Sequence, residues 1–221
     1  MRRVLRDNGL SIAMFGLFAL FLLGQSIAGH RTYNEEQRSH DDPTVDYGAY
    51  LRTPHFAEAV FENWESEFLQ MGAYVMLTVF LFQKGSSESK DPDGEEAVDA
   101  DPRETRGNPD APWPVRRGGL PLWLYERSLG PTMLLLFALS FIGHAAGGAR
   151  EYSAEQTAHG ESGVSTAAYL RTAQFWFESF QNWQSEFLAV GTLIVLSIVL
   201  RQRGSPESKP VAASYGETGT S

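Results

Sequence analysis

The sequence predicts an all-α polytopic membrane protein, with four transmembrane helices arranged as two parallel helical hairpins. Two observations carry this prediction: the apolar residues are concentrated in four blocks, and the second half of the chain repeats the first. Average composition alone suggests a different class. A chain of 221 residues with a net charge of −9 and a mean hydropathy of −0.25 is typical of a mildly acidic soluble protein.

Two of the apolar blocks are long enough to span a bilayer by themselves. Residues 8–29 and 128–149 contain no charged side chain. A helix rises 1.5 Å per residue, so about 20 residues cross a hydrocarbon core of about 30 Å. The blocks at 68–83 and 187–200 are shorter, and each by itself would also fit a buried helix of a soluble protein.

The first block also resembles a signal peptide. Arg2, Arg3 and Arg6 precede its apolar core, and small residues around Ala28 follow it. The third block copies the first from the middle of the chain, where no signal peptide acts. This copy favours a membrane helix over a cleaved leader at residues 8–29.

The two halves of the chain align without a gap at a shift of 119 residues. Residues 49–53 recur unchanged at 168–172, and residues 63–69 recur at 182–188 with one change. Each copy holds one long and one short apolar block. Because two spans return the chain to its starting side, the repeats are predicted to be parallel rather than inverted.

The repeated motifs resemble a family of small bacterial integral membrane proteins that is classed as a domain of unknown function. The motifs are Tyr-x-x-Glu-Gln-x-x-His, Asn-Trp-x-Ser-Glu-Phe-Leu and Gly-Ser-x-Glu-Ser-Lys, and each occurs twice. The resemblance covers nearly the whole chain. It implies a membrane location and brings no known activity.

Charge predicts the domain organisation and the topology. We expect a membrane hairpin at 1–84, a disordered cytoplasmic linker at 85–119, a second hairpin at 120–203 and a disordered cytoplasmic tail at 204–221. Thirteen lysines and arginines lie at residues 1–7, 84–127 and 201–221, against five in the loops between paired spans. The positive-inside rule then predicts a multi-pass protein of the plasma or inner membrane with both termini in the cytoplasm. The excess of acidic residues falls on the external face.

The external ends of the helices are predicted to extend beyond the membrane. The first helix should continue past Gly29 to about His40. The second should begin with Thr53 as N-cap and Pro54 as its first residue, and continue to Gln83. Aromatic and acidic residues lie on opposite faces of its first half, and Trp64 and Trp183 are predicted to mark the external interface. The acidic residues of this half, Glu58, Glu62 and Glu65, are counted in an acidic external cap.

The sharpest functional hypothesis concerns depth in the membrane. Counted from the inner boundary, four polar side chains lie roughly 21 to 24 Å up: Gln25, Glu67, His144 and Glu186. Four more flank them within about one turn: Asn63, Ser66, Asn182 and Ser185. An ionisable residue at this depth suggests a proton- or ion-responsive site. Alternatively, the glutamates reach the headgroups through a thinned bilayer, or the layer only joins the helices by hydrogen bonds.

A second hypothesis is a metal site at the external helix ends. Glu36 with His40, and Glu155 with His159, are each four residues apart and therefore share a helix face. Two carboxylates and two imidazoles suit zinc or iron. The alternative is a solvated helix end whose charges face water.

Catalytic residues and cofactors are not predicted. The sequence has no cysteine, no nucleophile elbow, no phosphate-binding glycine-rich loop and no His-Glu-x-x-His motif. The acidic balance argues against nucleic acid as a partner. We therefore expect a non-enzymatic structural or accessory membrane protein, whose partners are the lipid bilayer and a second copy or another membrane protein. The alternative is a small oligomeric transporter or channel that uses the polar layer.

Overall fold

Helices and turns make up the part of the chain that the computed structural model describes, residues 2–94 and 96–219, and no strand occurs within it. The long helices are α1 (Arg2–Ser39), α3 (Pro54–Leu77), α6 (Leu129–Ala158) and α8 (Ala173–Leu196). The short ones are α2 (Tyr47–Tyr50), α4 (Trp113–Arg117), α5 (Gly119–Tyr125) and α7 (Thr166–Tyr169). The all-α class is confirmed.

The helix boundaries follow the 119-residue offset seen in the sequence. The ends of α1 and α6 coincide under this shift, and so do both ends of α2 with α7 and of α3 with α8. As predicted, α1 continues past Gly29, and it ends one residue before His40. Near its start, non-helical dihedral angles at Asn8 (φ −130°, ψ 17°) interrupt it.

Two helices of the described residues are long and apolar enough to cross a membrane, Arg3–Ser39 and Leu129–Ala158. In the first, only 6% of the most apolar 18-residue stretch is buried. The shorter helices α3 and α8 do not meet the same criterion. Four transmembrane helices therefore remain a prediction.

The start of α3 is as predicted, and its end is not. The Thr53 hydroxyl caps the helix by accepting a hydrogen bond from the Phe56 amide (3.2 Å), and Pro54 is the first helical residue. The helix ends at Leu77 instead of Gln83. Beyond it, the amides of Phe80 and Leu81 both donate to the Leu77 carbonyl, which tightens and terminates the last turn.

The repeated Gly-Ser-x-Glu-Ser-Lys motif forms the loop after each of these helices. Its glycine has a positive φ in both copies, 89° at Gly85 and 85° at Gly204. A conformation of this kind favours glycine because it has no Cβ. The serine directly before the lysine, Ser89 or Ser208, accepts a hydrogen bond from a backbone amide six residues earlier, at 2.8 Å in the first copy and 2.9 Å in the second. The motif thus forms a turn that follows the end of each helix.

Residues 85–119, for which the sequence predicts disorder, contain local structure. Two 3-10 helices, Ala97–Asp99 and Pro102–Thr105, precede α4. Ala111, Val115 and Leu122 are buried together. In the tail, the Lys209 ammonium is buried and donates to three backbone carbonyls, of Ser214, Tyr215 and Glu217.

The chain divides into two compact units. The first comprises Met1–Val60 and His144–Tyr169, and the second Phe61–Gly143 and Leu170–Ser221. Each unit therefore takes residues from both predicted hairpins.

Tyrosine-on-glycine packing appears twice in the first unit, at repeat-equivalent positions. Tyr50 lies over Gly29 and Tyr169 over Gly148, and each tyrosine is only 1% exposed. In the second unit, α3 packs closely on α6. A Cβ added to Gly72 would lie 3.2 Å from that of Met133, and one added to Gly143 would lie 2.5 Å from the Phe61 ring. Small residues allow these close approaches.

Burial follows an unusual pattern for a water-soluble fold. Large apolar side chains of α1 are exposed, among them Phe15 at 75% and Phe21 at 69%. The buried side chains include Glu65, Gln70 and His144. Soluble domains bury mainly apolar side chains. A polar interior with an apolar exterior is compatible with a membrane environment.

The glycine contacts predict that two repeat-equivalent substitutions have opposite effects. Gly143→Ala places a methyl group against the Phe61 ring and should lower the stability by about 1–3 kcal/mol. Gly24→Ala meets nothing within 4 Å among the described residues, so it should be neutral or stabilise by up to about 1 kcal/mol. Thermal unfolding of the purified variants in detergent measures both. Equal effects of the two substitutions would contradict the packing of α3 on α6.

Candidate functional site

A row of carboxylates runs along one face of α3. Glu58, Glu62 and Glu65 are spaced by four and three residues, which places them on the same side of a helix. Glu65 is fully buried, and the other two are half-buried. This face of α3 therefore points into the protein. We call these three residues the carboxylate row.

In the second unit, the carboxylate row contacts α8. Glu62 Oε1 accepts a hydrogen bond from the Asn182 side-chain amide (2.5 Å), and Glu65 Oε1 accepts one from the Trp183 indole N–H (2.9 Å). These donors come from the repeated Asn-Trp motif. Hydrogen bonds to an acidic side chain are stronger than those between neutral groups, and a buried carboxyl depends on them.

In the first unit, the row contacts α6 and α7. Glu58 Oε1 accepts a hydrogen bond from the Tyr169 hydroxyl (3.2 Å). A carboxylate oxygen of Glu58 and a ring nitrogen of His144 lie within 4.8 Å of each other, and His144 is fully buried. The backbone of Glu58 lies against Gly147, where an added Cβ would be 3.0 Å from the Glu58 nitrogen.

This arrangement corrects the charge distribution expected from the sequence. The sequence predicts that Glu58, Glu62 and Glu65 belong to the acidic external cap, but Glu65 is 0% exposed and the other two are half-buried. The acidic surface is therefore smaller than the sequence predicts. The i, i+4, i+7 spacing of the three glutamates was the signal for a common face. Whether that face points into the protein or outward depends on whether water or lipid surrounds the helix.

The four residues of the predicted layer lie in different environments. His144 is fully buried and Glu186 half-buried, whereas Glu67 is exposed. The Gln25 side-chain amide donates to the Ala59 carbonyl (3.3 Å).

The flanking residues of the layer also separate into two groups. Asn182 binds the carboxylate row, next to the predicted interface residue Trp183. The Ser66 and Ser185 hydroxyls each donate to the backbone carbonyl three residues earlier on their own helix (2.8 Å in both). Asn63 is exposed, and the Trp64 ring contacts Phe61 edge-on at 5.7 Å. The interface position of Trp64 and Trp183 stays a prediction.

A histidine and several aromatic rings pack together at the predicted external end of the first unit. The His55 ring lies 5.3 Å from the Tyr33 ring and 5.9 Å from the Tyr50 ring, and its Nδ1 is 3.4 Å from the Tyr50 hydroxyl oxygen. Burial lowers the pKa of His55 below its usual range, and the negative charge of Glu36 partly opposes this shift.

The predicted metal ligands are placed at the ends of α1 and α6. The Nδ1 atoms of His40 and His159 lie 3.1 and 2.9 Å from the carbonyls of Glu36 and Glu155, so each ring is bonded to the end of its own helix. Among the residues that the structure describes, no three of these four side chains bring ligand atoms within 4.8 Å of one another. The metal site stays a prediction.

Comparison with known proteins gives one match. A family model described as a domain of unknown function, DUF6766, matches residues 1–220. The chain belongs to the DUF6766 family. The expected membership of a family of unknown function is thereby confirmed, and the match adds no activity. No curated protein and no solved structure matches this DUF6766 chain.

The bond between Glu65 and Trp183 predicts measurable coupling between α3 and α8. Trp183→Phe removes the indole N–H but keeps an aromatic ring, and Glu65→Gln weakens the acceptor. A double-mutant cycle of the two changes should give a coupling energy of about 1–3 kcal/mol in detergent unfolding. Trp123→Phe, at a half-exposed ring on α5, serves as the control. A coupling near zero would contradict the bond.

The lowered pKa of His55 predicts a pH-dependent stability. The unfolded chain binds a proton near pH 6.5, whereas the folded protein binds it only at lower pH. Protonation therefore favours unfolding, and stability falls as the pH decreases below about 6.5. His55→Gln introduces the residue found at the equivalent repeat position, Gln174.

The variant should lose less stability than the natural protein between pH 7.5 and 5.5, as measured by the unfolding temperature at each pH. Comparing the two proteins at each pH cancels the contributions of the neighbouring carboxylates. Parallel pH curves for the two proteins would show that His55 titrates equally in both states.

Proposed function

We propose that this DUF6766 chain is a multi-pass plasma or inner membrane protein with an accessory role, which binds a second copy or another membrane protein through α1. The apolar exterior and polar interior support the membrane location. The charge bias of the sequence supports cytoplasmic termini, and the 119-residue offset of the helix boundaries supports two parallel hairpin repeats.

The observation that carries the proposal is the uncovered apolar half of α1. Beyond the backbone of α1 itself and the adjacent residues, no atom of the described residues lies within 4 Å of a Cβ added to Gly16 or Gly24. The equivalent of Gly24 in α6 is Gly143, which is covered by the Phe61 ring of α3. One repeat thus has its glycine covered by a helix, and the other offers the same glycine for a helix from another chain. Small residues allow close backbone approach between membrane helices.

The negative charge at the predicted external helix ends also favours a protein partner over contact with lipid alone. Acidic side chains outnumber basic ones at the predicted external ends of the helices. A negative surface of this kind attracts a basic partner surface. An apolar helix beside an acidic end is suited to an integral membrane partner with a basic external segment.

Disulfide cross-linking tests the α1 interface, because the natural chain contains no cysteine. If two copies pack through the glycine face, Gly16→Cys in isolated membranes should form a disulfide-linked dimer on mild oxidation, since close helix packing brings the Cα atoms within about 7 Å. Met14→Cys, on the opposite side of α1, should not.

The other outcomes of this experiment identify a different partner or exclude an interface through α1. A different membrane protein that is isolated with the natural chain and lost with Gly16→Leu identifies another kind of partner. If Gly16→Cys forms no dimer, and no membrane protein is lost with Gly16→Leu, α1 faces only lipid and the accessory role through this helix is wrong.

A second candidate, a small transporter or channel, is supported by the buried Glu65 and His144. The 24 residues of α3 would be about 36 Å long, so a crossing of about 30 Å would extend from near Glu58 to Leu77. The carboxylate row would then lie within the membrane. Four helices enclose little space, so this function needs an oligomer. Detection of a different partner without self-association would leave only the accessory role.

A further inference from the structure

A cavity lies in the second unit between the C-terminal half of α3 and α8. Its volume is about 270 Å³, close to the lower end of small-molecule pockets, which measure about 300–1,000 Å³. The α3 wall consists of Gln70, Tyr74 and Leu77, and the α8 wall includes Phe187 and Ile194. Nearly all of this surface is apolar.

A glycine on α8 creates part of this space. A Cβ added to Gly191, which lines the cavity, would meet no atom of the described residues within 4 Å beyond the backbone of α8 and the adjacent residues. The repeat-equivalent glycine on α3 is Gly72, where an added Cβ would be 3.2 Å from Met133. The same glycine is therefore used for helix packing in one repeat and leaves an opening in the other.

One polar group in the cavity wall has an unused donor. The Gln70 side chain is 5% exposed, and its Nε2 is buried with no hydrogen-bond partner in the part of the chain that the structure describes. An unsatisfied buried amide is destabilising. A buried water needs two to four polar partners, and the apolar walls around Gln70 offer few. An acceptor atom at the end of an apolar molecule satisfies this donor better.

The other polar groups of the cavity favour an uncharged ligand. The Tyr74 hydroxyl donates to Glu88 Oε2 at 2.7 Å, so this donor is already used. The Glu88 carboxylate repels an anion. No lysine or arginine is among the residues that line the cavity, so a carboxylate or phosphate ligand would have no counter-charge there.

We propose that this cavity binds an uncharged, mostly apolar carbonyl compound, whose carbonyl oxygen accepts a hydrogen bond from Gln70 Nε2. The apolar part of the ligand lies between Leu77 and Ile194. The ester of a neutral lipid and the ketone of a membrane quinone share this chemistry. This proposal does not depend on the accessory role.

Photolabelling of the purified full-length protein tests the site. In maltoside detergent, which contains no carbonyl group, three probes carry the same diazirine-bearing twelve-carbon chain: a methyl ester, a free carboxylate and a plain hydrocarbon. We expect the ester to label peptides of α3 and α8 more strongly than the other two. Gln70→Leu should lower ester labelling about threefold to tenfold, the effect of one hydrogen bond, without changing hydrocarbon labelling.

A filling variant tests the location independently of Gln70. Gly191→Leu occupies the cavity and should abolish labelling of these peptides by all probes. Ala189→Leu adds bulk to the exposed opposite face of α8 and should leave labelling unchanged. Retained labelling in Gly191→Leu, or labelling confined to residues 10–23, overturns the site. An equal effect of Gln70→Leu on ester and hydrocarbon overturns the carbonyl contact.

The ligand is identified from the small molecules that stay bound to the protein during purification. Solvent extracts of the natural protein and of Gly191→Leu, both purified from the same membranes, are compared by mass spectrometry. Enrichment of a neutral ester in the natural protein identifies a lipid, and enrichment of a quinone identifies a redox carrier. No difference between the extracts, together with no preference for the ester probe, would show that the cavity holds no carbonyl ligand.

Discussion

The buried carboxyl group of Glu65 constrains the structure more than any other single feature. A carboxyl group removed from solvent is costly unless donors are brought to it. The indole N–H of Trp183 supplies one, and the Asn182 amide does the same for Glu62 one turn away. Because a hydrogen bond tolerates only a few tenths of an ångström, these two bonds fix the register of α8 against α3. An aliphatic contact would allow the helices to slide.

The repeat explains much of the architecture, and the differences between its copies explain the rest. Equivalent helices have equivalent lengths, and the tyrosine-on-glycine contact occurs in both. The copies differ at positions where another helix packs against the residue in one repeat but not in the other. Gly143 is covered while Gly24 is open, and Gly72 is covered while Gly191 opens a cavity. Glycines at positions 119 residues apart therefore have different neighbours, and each pair has one member in close packing and one without.

Sequence patterns predicted the helices well and the site only in part. The all-α class, the extension of α1 and the Thr53 cap follow from local rules of periodicity and capping, and the structure agrees. The end of α3 was missed because residues 78–83 are as apolar as the helix before them, and apolarity does not distinguish a helix from a tight turn. For the polar layer, counting residues by depth selected Glu67, whereas the fully buried acid is Glu65. Counting by depth gives the position of a residue along the helix axis, but it does not show which side of the helix faces the interior.

The rotation of α3 also connects the carboxylate row with the cavity. Glu58, Glu62 and Glu65 continue by helical steps to the buried Ser66 and Gln70, and then to Tyr74. The inner face of α3 therefore changes from acidic to uncharged polar and then to apolar along a single helix. A buried polar group that is shielded from water needs a hydrogen-bond partner from within the protein. The glutamates obtain theirs from α7 and α8, and Tyr74 obtains one from the loop that follows α3. Gln70 lies between these groups, where α8 has a glycine and provides no acceptor, and for this reason the missing partner of Gln70 falls at the cavity.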